Sequence, residues 1–201
     1  MARMSCSFPS RLRRAEGLRV LVLRAVGGAS GWRSDRLVES DGGSARHLCP
    51  WMAWLAEEPK RIDERREMLA RWERNWSEEG DVLLSVFLDG RVAGSCVLHR
   101  RRNPQTLEIG YWIHVSFLRQ GLATRVAAML TDAAFSVAGI TRAEIHHDKA
   151  NVASSGVPRR LGYAFVGEEP DEAGAPAEIG VDCVWRIERE SWDGSRREGH
   201  A

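Results

Sequence analysis

Between Leu107 and His147 the chain passes from an alternating apolar run, LEIGYWIHV, through the polar turn Arg119-Gln120-Gly121, into an Ala-rich stretch with helical spacing, and on into RAEIHH. The pattern predicts a strand over Leu107–Val115, a helix from about 121 to 137 and a new strand from Arg142. A βαβ unit places its two strands parallel in one sheet, joined by a right-handed crossover. All-helical and wholly antiparallel folds are thereby excluded. The turn carries chemistry of its own. The N–H groups of Gln120, Gly121, Leu122, Ala123 and Thr124 fall at a helix N-terminus, where they lack intrahelical partners and the helix dipole favours an anion such as a pyrophosphate. Gly121 has no Cβ to keep that anion off the backbone. The alternative is a glycine that serves a tight turn and nothing else.

The flanking sequence supplies the rest of a sheet. DVLLSVFLDGRVAGSCVLHRR is two β-rich runs joined by Asp89-Gly90, a strong hairpin signal, and LEIGYWIHV follows the Asn103-Pro104 turn to complete an antiparallel meander. LRVLVLRA, from Leu18, reads as an earlier strand broken by Gly27, Gly28, Ser30 and Gly31. A helix is expected within Asp35–Leu48, ended by Pro50, and another over Ile62–Trp76, whose apolar residues recur at mostly helical intervals. The fold class is mixed α/β (α+β), with a central, mostly antiparallel sheet containing one parallel βαβ unit. At 201 residues the chain suits one domain, expected over 18–188. Residues 1–17, with Arg3, Arg11, Arg13 and Arg14 before the first acid, read as a frayed basic tail rather than an organellar transit sequence, and 189–201 as a second tail.

Basic residues number 29 and acidic residues 28, so no global field draws the chain to nucleic acid. Cys6, Cys49, Cys96 and Cys183 form no CxxC pair and no zinc-site spacing with the histidines. No metal is expected, and the thiols read as reduced in a cytoplasmic protein. No apolar run approaches the roughly 20 residues that span a bilayer, so no membrane partner is expected.

Two stretches resemble one family. Leu118-Arg119-Gln120-Gly121-Leu122-Ala123 is similar to motif A, Q/R-x-x-G-x-G/A, of the GCN5-related N-acetyltransferases (GNAT). After the next strand, NVASSGVPRRLGY is similar to the family's second signature, N-x-x-S-x-x-V-x-x-x-L-G-F/Y, at Asn151, Ser154, Val157, Leu161, Gly162 and Tyr163. LEIGYWIHV and HLCPWMAW resemble the RimJ/RimL branch, which acetylates ribosomal-protein N-termini. Together the likeness covers about residues 46–188.

The resemblance implies the GNAT acyl-CoA N-acyltransferase fold and direct transfer of acetyl from acetyl-CoA to a primary amine, a peptide N-terminus or a small molecule. The alternative is a GNAT-fold module that binds acyl-CoA without catalysis. An unrelated nucleotide-binding βαβ protein is disfavoured by the absence of GxGxxG and Walker sequences. The two βαβ strands should splay, with pantetheine along the backbone of Ile113, His114 and Val115 and the pyrophosphate on Arg119, Gln120, Gly121, Leu122, Ala123 and Thr124. Asn151 implies a contact to the pantetheine arm, although an Asn before a helix is also a common cap. Glu108 is the candidate base, against an ordinary strand-end carboxylate. Ser154 is the candidate donor to the sulfur, against a helix N-cap. Trp51 and Trp54 are candidate walls of the acceptor groove, against plugs of the core. The acidic loop 167–180 either guides a cationic acceptor or is a solvated hairpin. Leu118 replaces the usual Gln or Arg of motif A. Pro158 stands where many members carry a general-acid Tyr, so Tyr catalysis is excluded at that position. His146 and His147, adjacent on a strand, point to opposite faces and cannot chelate together. The assembly is expected to be a monomer or a homodimer.

Overall fold

A computed structural model describes residues 18–22, 44–57, 61, 63–64, 67–68, 70–71, 80–101 and 103–193. The expected N-terminal tail and most of the expected helix at 35–48 lie outside them, apart from a helical turn at 44–48. Of the expected helix over Ile62–Trp76, residues 63–64, 67–68 and 70–71 are described, and all are helical.

The elements are β1 (Leu18–Val22), β2 (Val82–Leu88), β3 (Arg91–Arg100), β4 (Thr106–Ile113), α1 (Leu122–Ser136), β5 (Arg142–Asp148), α2 (Val152–Leu161), β6 (Ala164–Pro170) and β7 (Val181–Glu188). The seven strands form one sheet in the order β1-β2-β3-β4-β5-β7-β6. Every neighbouring pair is antiparallel except β4 with β5, the parallel pair of the βαβ unit. The β2–β3 turn is Asp89-Gly90, both residues at positive φ (49° and 79°), as a type I′ hairpin requires.

α1 lies on one face of the sheet. Leu122, Val126, Ala127, Leu130 and Ala134 are buried, together with Ile109 and Ile113 of β4 and Ala143 and Ile145 of β5. Alanines on this face of α1 bring the helix close to the strands, so its N-terminus is held rigidly at the end of β4. β4 stops two residues before the expected Val115. The N–H of Val115 is taken by the buried Ser44 hydroxyl at 2.9 Å, and the His114 ring accepts from Ser116 N–H at 3.1 Å, which turns Val115–Phe117 into a 3₁₀ turn.

The described residues run on to Asp193, five residues into the tail expected at 189–201, with a 3₁₀ turn at Arg189–Ser191. The guanidinium of Arg189 donates to the carbonyls of Phe135, Val137 and Ile140 and lies 5.3 Å from the Phe135 ring centroid. Trp192 Nε1 donates to Asp132 on α1 at 2.9 Å. A helix C-terminus leaves carbonyls without intrahelical donors, and one planar guanidinium gathers those here.

Hydrogen bonds from a charged group are worth about 1.5–3 kcal/mol net. Arg189→Ala is therefore expected to lower the unfolding free energy by about 2–3 kcal/mol, or roughly 5–10 °C in Tm for a chain of this size, by urea and thermal denaturation. Arg189→Lys, with one compact ammonium in place of the fork, should recover only part of the loss.

Candidate functional site

The parallel β4–β5 ladder has three rungs, Thr106↔Arg142, Leu107↔Ala143 and Glu108↔Glu144, and then ends. Each strand stays paired on its other side. β4 keeps β3 as far as Ile113↔Gly94 and β5 keeps β7 as far as Asp148↔Asp182. The His114 N–H donates to Ala93 of β3 at 2.9 Å. By the alternation of an antiparallel ladder, the main-chain groups of Tyr111 and Ile113 and the carbonyl of Ile109 face the widening gap, the Ile109 N–H belonging to the last parallel rung. Of the three sequence-predicted backbone contacts, Ile113 therefore faces the gap. The N–H groups of His114 and Val115 are already engaged, by Ala93 and Ser44.

At the open end of the gap stands the N-terminus of α1. Gly121 is its N-cap, at φ +69°, with no side-chain cap, and a Cβ built there would meet nothing within 4 Å. Arg119 also takes a left-handed conformation, φ 60°, a cost of about 1–2 kcal/mol for a residue with a Cβ, and such strain concentrates at ligand-binding turns. Arg119, Gln120 and Gly121 are exposed, while Leu122 and Thr124 anchor the first turn in the core. The turn thus presents bare backbone N–H groups to an open side, which suits the pyrophosphate of a coenzyme. Leu118 is half-buried against the core, so the departure from motif A serves packing.

Past the gap, α2 begins with Asn151 as its N-cap, whose side chain accepts from Ser154 N–H at 3.3 Å. The cap is Asn151 and not Ser154. The hydroxyl of Ser154, one turn into the helix, instead meets Tyr111 of β4, with Oγ and the phenol oxygen 3.4 Å apart. Burial pushes the Tyr111 phenol up to about 12, with its bond to Ser154 opposing, so it stays protonated at neutral pH. Sequence reasoning missed Tyr111 because alternation with Ile109 and Ile113 marks it only as a core-facing position.

Glu108 sits on the last rung, on the face of the sheet opposite Tyr111 and Ser154. Its carboxylate pairs with Arg101 at 2.9 and 3.4 Å. Glu108 and Ser154 are thus not a contacting pair across the gap. Glu108 belongs to a polar face in which Asp81 bonds His99 (2.6 Å), and Glu144 takes Arg186 (2.6 Å) and His146 (3.0 Å). Burial opposes charge on His146, but bonds to Asp182 and Glu144, aided by the charge of Glu108, raise its pKa to about 10. It is an imidazolium at neutral pH and no general base. His146 in turn, ahead of Arg186 and against burial, holds Glu144 below the usual carboxylate range. His147 points the other way, accepting from Trp185 Nε1 at 3.1 Å. No group of three or more His, Cys, Asp or Glu among the described residues is disposed to hold a metal ion.

The polar face is roofed. Trp54, in the 3₁₀ turn Ala53–Glu57, lies 6.2 Å from Trp112 of β4 and is partly exposed. Trp51 is half-buried beside Pro50. The acidic loop 167–180 is not a free hairpin: Ala177 N–H donates to Pro50 O, and Asp148 accepts from Ile179 and Gly180 N–H at 2.8 and 3.0 Å.

A family model for the acetyltransferase (GNAT) domain matches residues 32–164. YdaF of Bacillus subtilis (strain 168), a candidate ribosomal N-acetyltransferase, is 29% identical over 140 residues, 69% of this chain and 76% of its own. Among solved structures, RimL, a ribosomal-protein alpha-N-acetyltransferase in complex with coenzyme A, superposes with a TM-score of 0.74 at 17% identity, covering 90% of this chain and 99% of RimL. RimJ of Mycobacterium smegmatis, in complex with a coenzyme A disulfide, gives 0.74 at 18%, covering 90% and 86%. At those identities the likeness is one of fold.

Two outcomes are expected. Gly121→Val should raise the Kd for acetyl-CoA at least tenfold, about 1.4 kcal/mol, with a fall in Tm because a β-branched residue is strained at positive φ. Gly121→Asn, which tolerates that conformation, should keep the Tm and still weaken binding, and calorimetry on both separates cradle from fold. The second outcome concerns pH. A histidine whose folded pKa lies above its unfolded value of about 6.5 stabilises fully below pH 6.5 and loses that contribution as pH rises toward 10. Wild-type stability should therefore fall between pH 6.5 and 10 relative to His146→Gln, as read by urea unfolding at both ends of the window.

Proposed function

We propose that this chain, which belongs to the GNAT acetyltransferase family, moves the acetyl group of acetyl-CoA to the primary amine of a peptide N-terminus. The observation that carries the reading is the ending of the β4–β5 ladder after Glu108↔Glu144. It leaves a gap faced by the Ile109 carbonyl and the main-chain groups of Tyr111 and Ile113, and that gap leads to the bare N-terminus of α1. Pantetheine, itself an amide-bearing arm, suits the gap and would pair with the strand-facing groups of Ile109, Tyr111 and Ile113. The N–H groups from Gln120 to Thr124 would hold the pyrophosphate. Asn151 borders the arm, although its side chain already serves as cap.

The two faces of the sheet divide the labour. Ser154, on the helix side, would donate a hydrogen bond to the sulfur. Glu108, on the polar side, would accept the ammonium proton directly or through water. Glu144, held below the usual carboxylate range by His146 and Arg186, is poorly suited to that role. As the nitrogen bonds to the acetyl carbon, the C–S bond breaks, the electron pair stays on sulfur, and the proton lost by the amine is made up on the thiol through solvent. Main-chain N–H groups facing the gap are the candidate donors to the oxyanion.

The acceptor side is aromatic and acidic, with Trp51 and Trp54 beneath a loop carrying Asp171, Glu172 and Glu178. That composition favours a cationic end group. With the likeness to YdaF it supports a ribosomal-protein N-terminus as acceptor and the cytoplasm as the place of action. Among the described residues no helix is long and apolar enough to cross a membrane.

The test is thiol release from acetyl-CoA with peptides bearing ribosomal-protein N-termini and with small amines, the products identified by mass spectrometry. Peptide turnover should exceed small-amine turnover, and release from neither removes the reading. Ser154→Ala should lower kcat by about 10² to 10³ with little change in the KM for acetyl-CoA, and with Tm held, since Asn151 caps the helix. Glu108→Gln should steepen the pH–rate profile, because only amines already neutral in solution then react. A profile superimposable on wild type removes Glu108 from the chemistry.

A further inference from the structure

Two adjacent serines in the first turns of α2 behave differently. Ser155 turns its hydroxyl back onto the carbonyl of Val152 at 2.8 Å, the local bond that a helical serine makes when nothing else engages it. Ser154 meets the phenol of Tyr111 instead, at 3.4 Å. Four residues on, Pro158 has no N–H to give, so the Ser154 carbonyl lacks its helical donor. Tyr111 lies 3.5 Å from that carbonyl as well. The phenol hydrogen is thus drawn into a fork between two oxygens of one residue. A serine hydroxyl that accepts there must aim its own hydrogen elsewhere. Tyr111 stands on β4 beyond the last β4–β5 rung, and the open direction beside it is the gap.

Resting on the acetyl-transfer reading, we infer that Tyr111 is a positioning residue for the reaction: it donates to Ser154 and so turns the Ser154 hydroxyl hydrogen toward the sulfur in the gap. The pair takes over the place at the sulfur that a tyrosine at position 158 would otherwise serve, and Pro158 contributes by freeing the carbonyl that draws in the phenol. Burial, which keeps the phenol protonated, suits it to donate. The contacts of 3.4 and 3.5 Å are longer than the 2.7–2.8 Å usual between hydroxyls, and catalytic bonds commonly tighten when the coenzyme arrives.

Tyr111→Phe removes only the hydroxyl and keeps the ring in the core. It is expected to lower kcat about tenfold, with the KM for acetyl-CoA within twofold of wild type and the Tm nearly unchanged. In a Ser154→Ala background the same change should cost less than twofold, because its target is gone. Binding gives an independent readout. Wild type should bind coenzyme A at least threefold more tightly than its desulfo analogue, and Tyr111→Phe should shrink that preference toward unity. Wild-type kcat in Tyr111→Phe, equal losses in both backgrounds, or an unchanged preference over desulfo-coenzyme A overturns the assignment. If Tyr111→Phe proves too unstable to assay, replacing Tyr111 by 4-aminophenylalanine, whose aniline N–H donates from the place of the phenol, decides: retained kcat supports the assignment and a Ser154→Ala-like kcat overturns it. A wild-type protein that binds coenzyme A but releases no thiol with any amine overturns the acetyl-transfer reading, and this inference with it. Wild-type turnover with an unaffected Tyr111→Phe overturns this inference alone.

Discussion

A parallel strand pair that ends after three rungs governs everything else in this molecule. β4 is bound to β3 over seven residue pairs and β5 to β7 over seven, so each strand is committed to its outer neighbour. With α1 seated across both, the twist of the sheet draws them apart instead of zipping them together. A main-chain amide facing a gap is a strong hydrogen-bonding group, and a row of them down one strand selects for an extended, amide-bearing ligand. The opening is placed by what holds its edges: Ser44 and the His114 ring turn the chain at the end of β4, and Arg189 pins the far end of the helix that follows.

The same sheet separates two chemistries. Toward α1 and α2, the odd-numbered residues of β4 and β5 are apolar apart from Tyr111 and His147, and both of these have polar partners. The charge lies toward the roof, where Glu108 pairs with Arg101, Glu144 with Arg186 and His146, and His146 also with Asp182 of β7. Because the gap joins both faces, a nucleophile from one side and a leaving group on the other can meet at a single carbon. Charges clustered in this way cost desolvation, and pairing offsets that cost while fixing the direction of each carboxylate.

The departures from the GNAT pattern have physical accounts. Leu118 is half-buried, and its apolar side chain packs against the core cluster. Pro158 is buried within α2 and leaves a carbonyl free at the level of Tyr111, so the loss of one phenol on the helix accompanies the arrival of another from the strand.

Much of this was legible in the residues. Alternation in LEIGYWIHV, helical spacing after Gly121 and the Asp89-Gly90 turn determine the meander and the βαβ unit, because side-chain period and turn stereochemistry are local properties. Gly121 and Asn151 likewise mark the two helix starts by their own backbone and capping preferences. The end of β4, the 3₁₀ turn past Glu188, and the partners of Ser154 and Glu108 were not legible. They depend on Ser44, Tyr111, Arg101 and Arg189 meeting groups distant along the chain. Periodicity tells which face a side chain takes, whereas only the packed sheet decides what stands opposite it, and at this site that decision sets which hydroxyl can point into the gap.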